Sequence, residues 1–503
     1  MKNYILILIG LITFSCSDFL EEEVFTQYAP DAFLASESGI NATLTAAYRK
    51  SRPNYREEWY TFGEWTSDLM LERGGGYAAP AATFAEFNWN QSNNFFRNIW
   101  RDRYSAIGVA NSILDNIDNV TSLSASKVAA LKAEATFLRA YNYVMLYDFF
   151  GRLPLITSGE LNLTPSRASD ADTRAFIESE LLSAAQNLPV EPEVYGKATK
   201  SAALTLLGRF YLDTKQWQKA ADANKQVIDL GYHSLFPNVE GVFSVENEGN
   251  REMIFVFGSL ATAPIQALAW NYTPHAYPVG YQTGQVNYGA QFQLWRWFVN
   301  SFDPNDQRAN EYDPPNGKYG WILKQYINKG GNLINLMTNP ITAGVEKKYP
   351  RPVKFTPDPN GLGPRHGNDM PILRYAEVLV NRAEALNEIS GPNQESIDLL
   401  NQVRSRSNAP DYNLADFPTK ESLRDQILVE RGWEFHAEGH RRRSLIRHGS
   451  FISGAQARGK ANAKAHHVLF PIPEQDLDSN SALEQNPGSV SYTHLTLPTK
   501  RIV

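Results

Sequence analysis

Apolar positions recur along most of this chain at intervals of three and four, the spacing that lines one face of an α-helix. The run KVAALKAEATFLRAYNYVMLYDFF (127–150) is the longest example, and Gly151 and Pro154 close it. FRNIWRDRYSAIGVANSILDNI, upstream of it, has the same period, so a helical pair is predicted near 96–150. ATKSAALTLLGRFYLDTKQWQKAADANKQVIDLG (198–231) reads as two helices joined by a tight turn near 213–216. Leu204, Leu207, Gly208 and Tyr211 belong to the first, and Trp217, Ala220 and Val227 to the second. Small residues at Gly208 and Ala220 allow close approach while the large ones fill the flanks, which is the tetratricopeptide pattern. PILRYAEVLVNRAEALNEI followed by QESIDLLNQVRSRSN predicts a further pair over 371–407. The stretch 419–449 opens with a Thr419 cap, with Glu421 close behind, and predicts another.

Between 232 and 370 the helical period is mostly lost, and Gly, Pro, Asn and aromatic residues dominate. EMIFVFGSL predicts a short strand there, and QFQLWRWFVNSF a helix with at least one of Trp295 and Trp297 in the core. The expected fold class is therefore mostly α. A tetratricopeptide-like helical-repeat scaffold forms one domain over 31–489, with a few short strands and a large irregular insertion over 232–370. Sites concentrate on loops held by rigid scaffolds, so the insertion is where ligand binding is expected.

The N-terminus follows a different pattern. Lys2 precedes YILILIGLITF, then Ser15 and Cys16. One positive charge, a short apolar run and a small residue predict a signal peptide over 1–15. No later run of eighteen uninterrupted apolar residues predicts a transmembrane helix. Cys16 is the only cysteine in 503 residues, which excludes an internal disulfide framework and a Cys-based zinc site. Its position resembles a bacterial lipoprotein signal, with Cys16 as the lipid attachment point and 16–30 as a lipidated acidic linker. At the other end, 490–503 resembles translated sequencing-adapter read-through and is set aside from the fold.

The net charge of −6 and the absence of a long basic stripe argue against nucleic acid as the main partner. HAEGH places Ala437 where a zinc protease needs Glu after the first His, so His436 and His440 do not read as metal ligands. Glu430, Glu434 and Glu438 instead form an i, i+4 row leading to Arg442, which predicts an ion-pair network. His466 and His467 are expected in a packed loop. RGGGY lacks the Gly-Lys-Ser/Thr of a phosphate loop. No metal or cofactor is predicted.

Several separate stretches, in one order and across nearly the whole chain, carry a resemblance. They are SCSDFLEEE, FGEWTSDLM, EATFLRAYNYVMLYDFFGRLPLI, NDMPILRYAEVLVNRAEALNE, LLNQVRSRS, ILVERGWEFHAEGHRRRSLIRHG and LFPIPEQDLDSNSALEQNPG. Together they resemble the SusD/RagB family, the glycan-binding outer-membrane lipoproteins of Bacteroidetes. The resemblance implies a right-handed superhelix of tetratricopeptide-like units that packs against a SusC-like TonB-dependent transporter. It also implies a non-enzymatic lid that captures oligosaccharide and delivers it to the barrel. Asp18 and Glu21 to Glu23, otherwise a solvated linker, would then be an address for the cell surface.

In the family, sugar contacts come from a loop after the first SD helix and from the mid-chain insertion. Flat rings stack on pyranose faces, and polar groups meet hydroxyls. Trp89, Trp270, Tyr272 and Tyr281 are the candidate platforms here, with Asp68, Arg73 and Asn93 as polar candidates. Each ring has the alternative of a core filler or loop clip, and Asp68 that of a helix brace. Two other functions stand beside glycan capture. One is a peptide- or other nutrient-binding scaffold of the same complex, and the other is a glycoside hydrolase using paired carboxylates.

Overall fold

Side-chain caps set where most helices begin, each accepting a hydrogen bond from a backbone N–H of the first turn. In the computed structural model, which describes residues 33–72, 78–160, 162–262, 292–313, 318–327, 331–338, 349–355, 358, 360 and 367–489, Ser36 heads α1 (Glu37–Ser51). After α2 (Ala78–Ala85), Asn93 caps α3 (Asn94–Asn116) and Ser124 caps α4 (Ala125–Phe150). Ser169 caps α5 (Asp170–Asn187), and Thr199 caps α6 (Lys200–Asp213). Next come α7 (Trp217–Asp229), α8 (Tyr375–Ser390), α9 (Gln394–Arg406) and α10 (Lys420–Phe435). The short α11 (Arg441–Arg447), α12 (Phe451–Ala457) and α13 (Glu474–Ser479) complete the set.

The helices pack as a row. α1 lies on α3, α3 on α4, α4 on α5, α5 on α6, α6 on α7, α7 on α8, and α8 on both α9 and α10. Residues 232–370 separate α7 from α8 in sequence, yet the two are neighbours, so the insertion leaves the row unbroken. The architecture is mostly helical and tetratricopeptide-like, as the apolar spacing predicts. At Gly208 the close approach is to Asn224, since an added Cβ would stand 2.5 Å from its Nδ2.

Four expectations are corrected. α5 has no counterpart among the predicted pairs. Met370–Arg374 is a strand, β4, where a helix is predicted from Pro371, and α8 begins only at Tyr375. β4 pairs antiparallel with β2 (Met253–Phe257), the strand expected in EMIFVFGSL, so pairing overrides the helical period there. QFQLWRWFVNSF forms strand β3 (Phe292–Leu294) and then a single turn, Arg296–Val299, because β3 pairs with β1 (Met70–Glu72). Trp295 is half-buried against the core, while Trp297 is 50% exposed.

The fourth correction concerns the glutamate row. α10 ends at Phe435, and Ala437 and Gly439 both take positive φ in the turn that follows. Glu438 therefore leaves the helix, and Arg442 does not meet it. Arg442 lies 3.3 Å from Asp148 instead and donates to Val468 O at 2.6 Å. The three glutamates do enter a buried network, but with partners from distant segments. Arg308 meets Asp306, Glu430 and Glu434, and Arg404 meets Glu430. Arg374 and Arg406 share Glu252 and Glu434, and Lys354 meets Glu438. These side chains pin the insertion, through 306, 308 and 354, to β2, β4, α9 and α10.

An eleven-residue π-helix, Tyr55–Trp65, crosses beside the 437–439 turn. Gly63 makes the crossing possible, because a Cβ there would lie 2.7 Å from Gly439 Cα. Phe62 of this helix meets Phe84, Phe96, Phe149 and Phe470 at centroid distances of 4.1–5.5 Å. This ring cluster joins α2, α3, α4 and the C-terminal segment, and each fully buried ring contributes about 1.5–3 kcal/mol.

Candidate functional site

Trp89 sits in the loop between α2 and α3, in the sequence NWNQSN. Its ring lies 5.5 Å from Phe84 in offset stacking and meets His467 (4.7 Å) and Phe470 (5.4 Å) edge-on. It is half-buried. The ring is thus a clip that ties its loop to the core, and it also lines a cleft of about 290 Å³. Asn88, Asn90 and Gln91 contribute one wall, and Lys464, His466 and His467 the other. Burial lowers the His467 imidazole to about 4, with His466 and Lys464 adding to the effect, so the ring is neutral at pH 7. Its Nδ1 accepts from Lys464 N at 3.0 Å, which leaves the proton on Nε2. Amide and imidazole donors beside an indole are suited to hydroxyl-rich ligands.

The other described candidates already hold structural bonds. Asn93 is half-buried, and its Oδ1 accepts from Phe95 N at 2.9 Å as the cap of α3. Asp68 accepts from Nε and one arm of Arg441 at 2.7 and 2.9 Å. Burial raises the Asp68 carboxyl, but the Arg441 guanidinium outweighs it and holds the group below the usual carboxylate range. Arg73, Trp270, Tyr272, Tyr281 and Cys16 lie outside the described residues. Glu72, the last described residue before 73–77, and Phe292, the first after 263–291, are register partners in the β1–β3 pair.

The wall from 462–467 is not marked in the sequence. Only Trp89 signals the cleft, because its second half arrives from more than three hundred residues away. Among the described residues, no cluster of three or more His, Cys, Asp and Glu side chains could hold a metal ion. None of the described helices is long and apolar enough to cross a membrane.

Two family models match the chain. Residues 18–212 match the family described as starch-binding associating with outer membrane, and residues 295–488 match the SusD family. The chain belongs to the SusD/RagB family. It is 26% identical to SusD-like protein P25 of Formosa agariphila, over 93% of this chain and 95% of that one. A crystal structure of a SusD homolog from Bacteroides thetaiotaomicron shares the fold, with TM-score 0.77 and 22% identity, over 91% of this chain and 98% of the other. Surface glycan-binding protein A from Bacteroides thetaiotaomicron, in complex with laminarihexaose, also shares it. There the TM-score is 0.73 and the identity 18%, over 90% and 99% of the two chains. SusD-like proteins of this kind are binding proteins, and the family is associated with the outer membrane.

Proposed function

We propose that this SusD-like chain is a surface lipoprotein that captures oligosaccharide and delivers it to a SusC-like TonB-dependent transporter. Cys16 carries the lipid, the acidic residues after it direct the chain to the cell exterior, and 31–489 acts as one domain. Sugar contacts come from the Trp89 cleft, and Asp68, Arg73, Asn93, Trp270, Tyr272 and Tyr281 are the further candidate glycan-binding residues. Two or three acyl chains on Cys16 supply a stable anchor, since each buried CH₂ contributes about 0.8 kcal/mol.

The observation that carries the reading is the Trp89 cleft itself. An indole, four amide side chains and a neutral imidazole line one depression of about 290 Å³. Family membership and the laminarihexaose complex of a relative support it. Calorimetry of the purified protein against a panel of neutral oligosaccharides tests it. Binding without release of reducing ends is expected, and Trp89→Ala should weaken it at least about tenfold, roughly 1.4 kcal/mol. Circular dichroism checks that the variant is folded, because Trp89 also packs against Phe84 and Phe470. Reducing-end release would favour a hydrolase, and peptide binding in place of glycan would favour the nutrient-scaffold alternative.

A further inference from the structure

A second cleft, of about 490 Å³, lies between α4, α6, α11 and the C-terminal segment 484–487. It shares no lining residue with the Trp89 cleft, and 466–471 runs between the two. Val144, Phe210, Ile446 and Leu469 give it apolar walls, and Thr214 and Gln485 add small polar groups.

Its charges are unevenly matched. Arg447 is saturated by Glu384 and Asp213, and Arg174 is paired with Asp170 at 2.8 Å. Three other guanidiniums are not paired in this way. Arg152 donates to Ala168 O. Arg167 donates to the backbone carbonyls of Phe150, Arg152 and Glu484 and to Asn486 Oδ1, and to no carboxylate. Burial and the neighbouring Arg152 lower the Arg167 guanidinium to about 10. Arg443 is the most exceptional. Its side chain is 9% exposed, and its nearest carboxylate, Asp148, is 3.9 Å away and already beside Arg442. Its Nε has no hydrogen-bond partner among the described residues. Five N–H donors on a buried guanidinium call for acceptors, and a carboxylate is the group that matches the fork in two bonds.

We propose that this cleft binds a carboxylated sugar, with Arg443 meeting the carboxylate, Arg167 and Arg152 adding positive field, and Phe210 and Leu469 covering the CH-bearing face. The volume is within the range of small-ligand pockets. A ligand that carries an anion, hydroxyls and an apolar face uses all three features of the lining, whereas a bare anion uses only the arginines.

Titration of the purified protein with glucuronate, glucose and acetate tests this. Glucuronate should bind, and glucose and acetate should each bind at least about tenfold more weakly. Arg443→Met, which keeps the apolar stem, should weaken glucuronate at least about tenfold. If that variant does not fold, Arg152→Gln at the exposed rim should weaken glucuronate about threefold. No glucuronate binding, equal binding of glucose or acetate, or unchanged affinity in the folded variant would each overturn the assignment. The neutral-oligosaccharide panel for the Trp89 cleft is a separate measurement, so failure of one reading does not decide the other.

Discussion

Two arginines of this protein are buried to similar degrees and treated oppositely. Arg374 uses all five of its N–H donors. Nε and one arm reach Glu438 at 2.7 and 2.8 Å, and the remaining bonds go to Glu252, Glu434 and the Glu434 carbonyl. Arg443, on α11, makes no hydrogen bond among the described residues, and its nearest carboxylate is 3.9 Å off. The network around Arg374 is balanced. Asp306, Glu252, Glu430, Glu434 and Glu438 stand against Arg308, Arg374, Arg404, Arg406 and Lys354, five of each sign. A buried cation that is fully satisfied by its own chain is architecture. One left with free donors at the wall of a cleft is available to something else.

The largest effect is expected where the balance is removed. Arg374→Met strips one cation from a buried set and leaves Glu252, Glu434 and Glu438 partly unpaired. Breaking a buried pair from one side costs about 3–5 kcal/mol. Chemical denaturation should show that loss, and the insertion should become the first region to exchange amide hydrogens, because 306, 308 and 354 are held through this network. A loss under about 1 kcal/mol would mean that the network is not what pins the insertion.

The same contrast exists among carboxylates. Burial alone would raise Glu434, but Arg406, Arg374 and Arg308 reverse this and hold it well below the usual range. Glu64 on the π-helix is equally buried, yet among the described residues accepts only the Gly439 N–H at 2.9 Å, and burial raises it from 4.5 to about 8. The signs are opposite. Glu434 favours the folded state above its unfolded pKa, and that contribution is lost as pH falls. Glu64 takes up a proton on folding, so its effect on stability worsens as pH rises from about 4.5 to about 8. Glu64→Gln should therefore gain about 1–3 kcal/mol at pH 8.5 and little at pH 4.5. Thermal melts across pH check this, and an equal gain at both pH values would break the assignment.

The two arginine environments were unequally legible from the residues. Helices over 96–150 and 198–231 follow from local spacing, because period 3.6 is a property of neighbours in sequence. α5 is hard to read from local spacing because its apolar stripe is narrow, with Ile177, Leu181 and Ala184 set among many polar residues. PILR has helical spacing, and only β2, more than a hundred residues earlier, makes it a strand. GHRRRS holds three consecutive arginines, and Arg441, Arg442 and Arg443 are all buried. Which of them finds a carboxylate depends on where Asp68 and Asp148 arrive from other elements. The row from Glu430 to Glu438 correctly announces ion pairs, but its partners are beyond the reach of helical spacing. At the candidate site the sequence singles out Trp89, but neither the amides of Asn88, Asn90 and Gln91 nor the His466 and His467 wall.

The smallest expected effect closes the comparison. Arg443→Met in the ligand-free protein removes a buried guanidinium that its own chain leaves unsatisfied, and replaces it with an apolar stem of similar length. Asp148 keeps Arg442 at 3.3 Å, so no carboxylate is stranded. Stability should stay within about 1 kcal/mol of the original, or rise, whereas the same substitution at Arg374 is strongly destabilising. Parallel denaturation of the two variants measures the difference directly. If Arg443→Met were as costly as Arg374→Met, then Arg443 would be structural like Arg374, and the cleft beside it would lose the feature that distinguishes it.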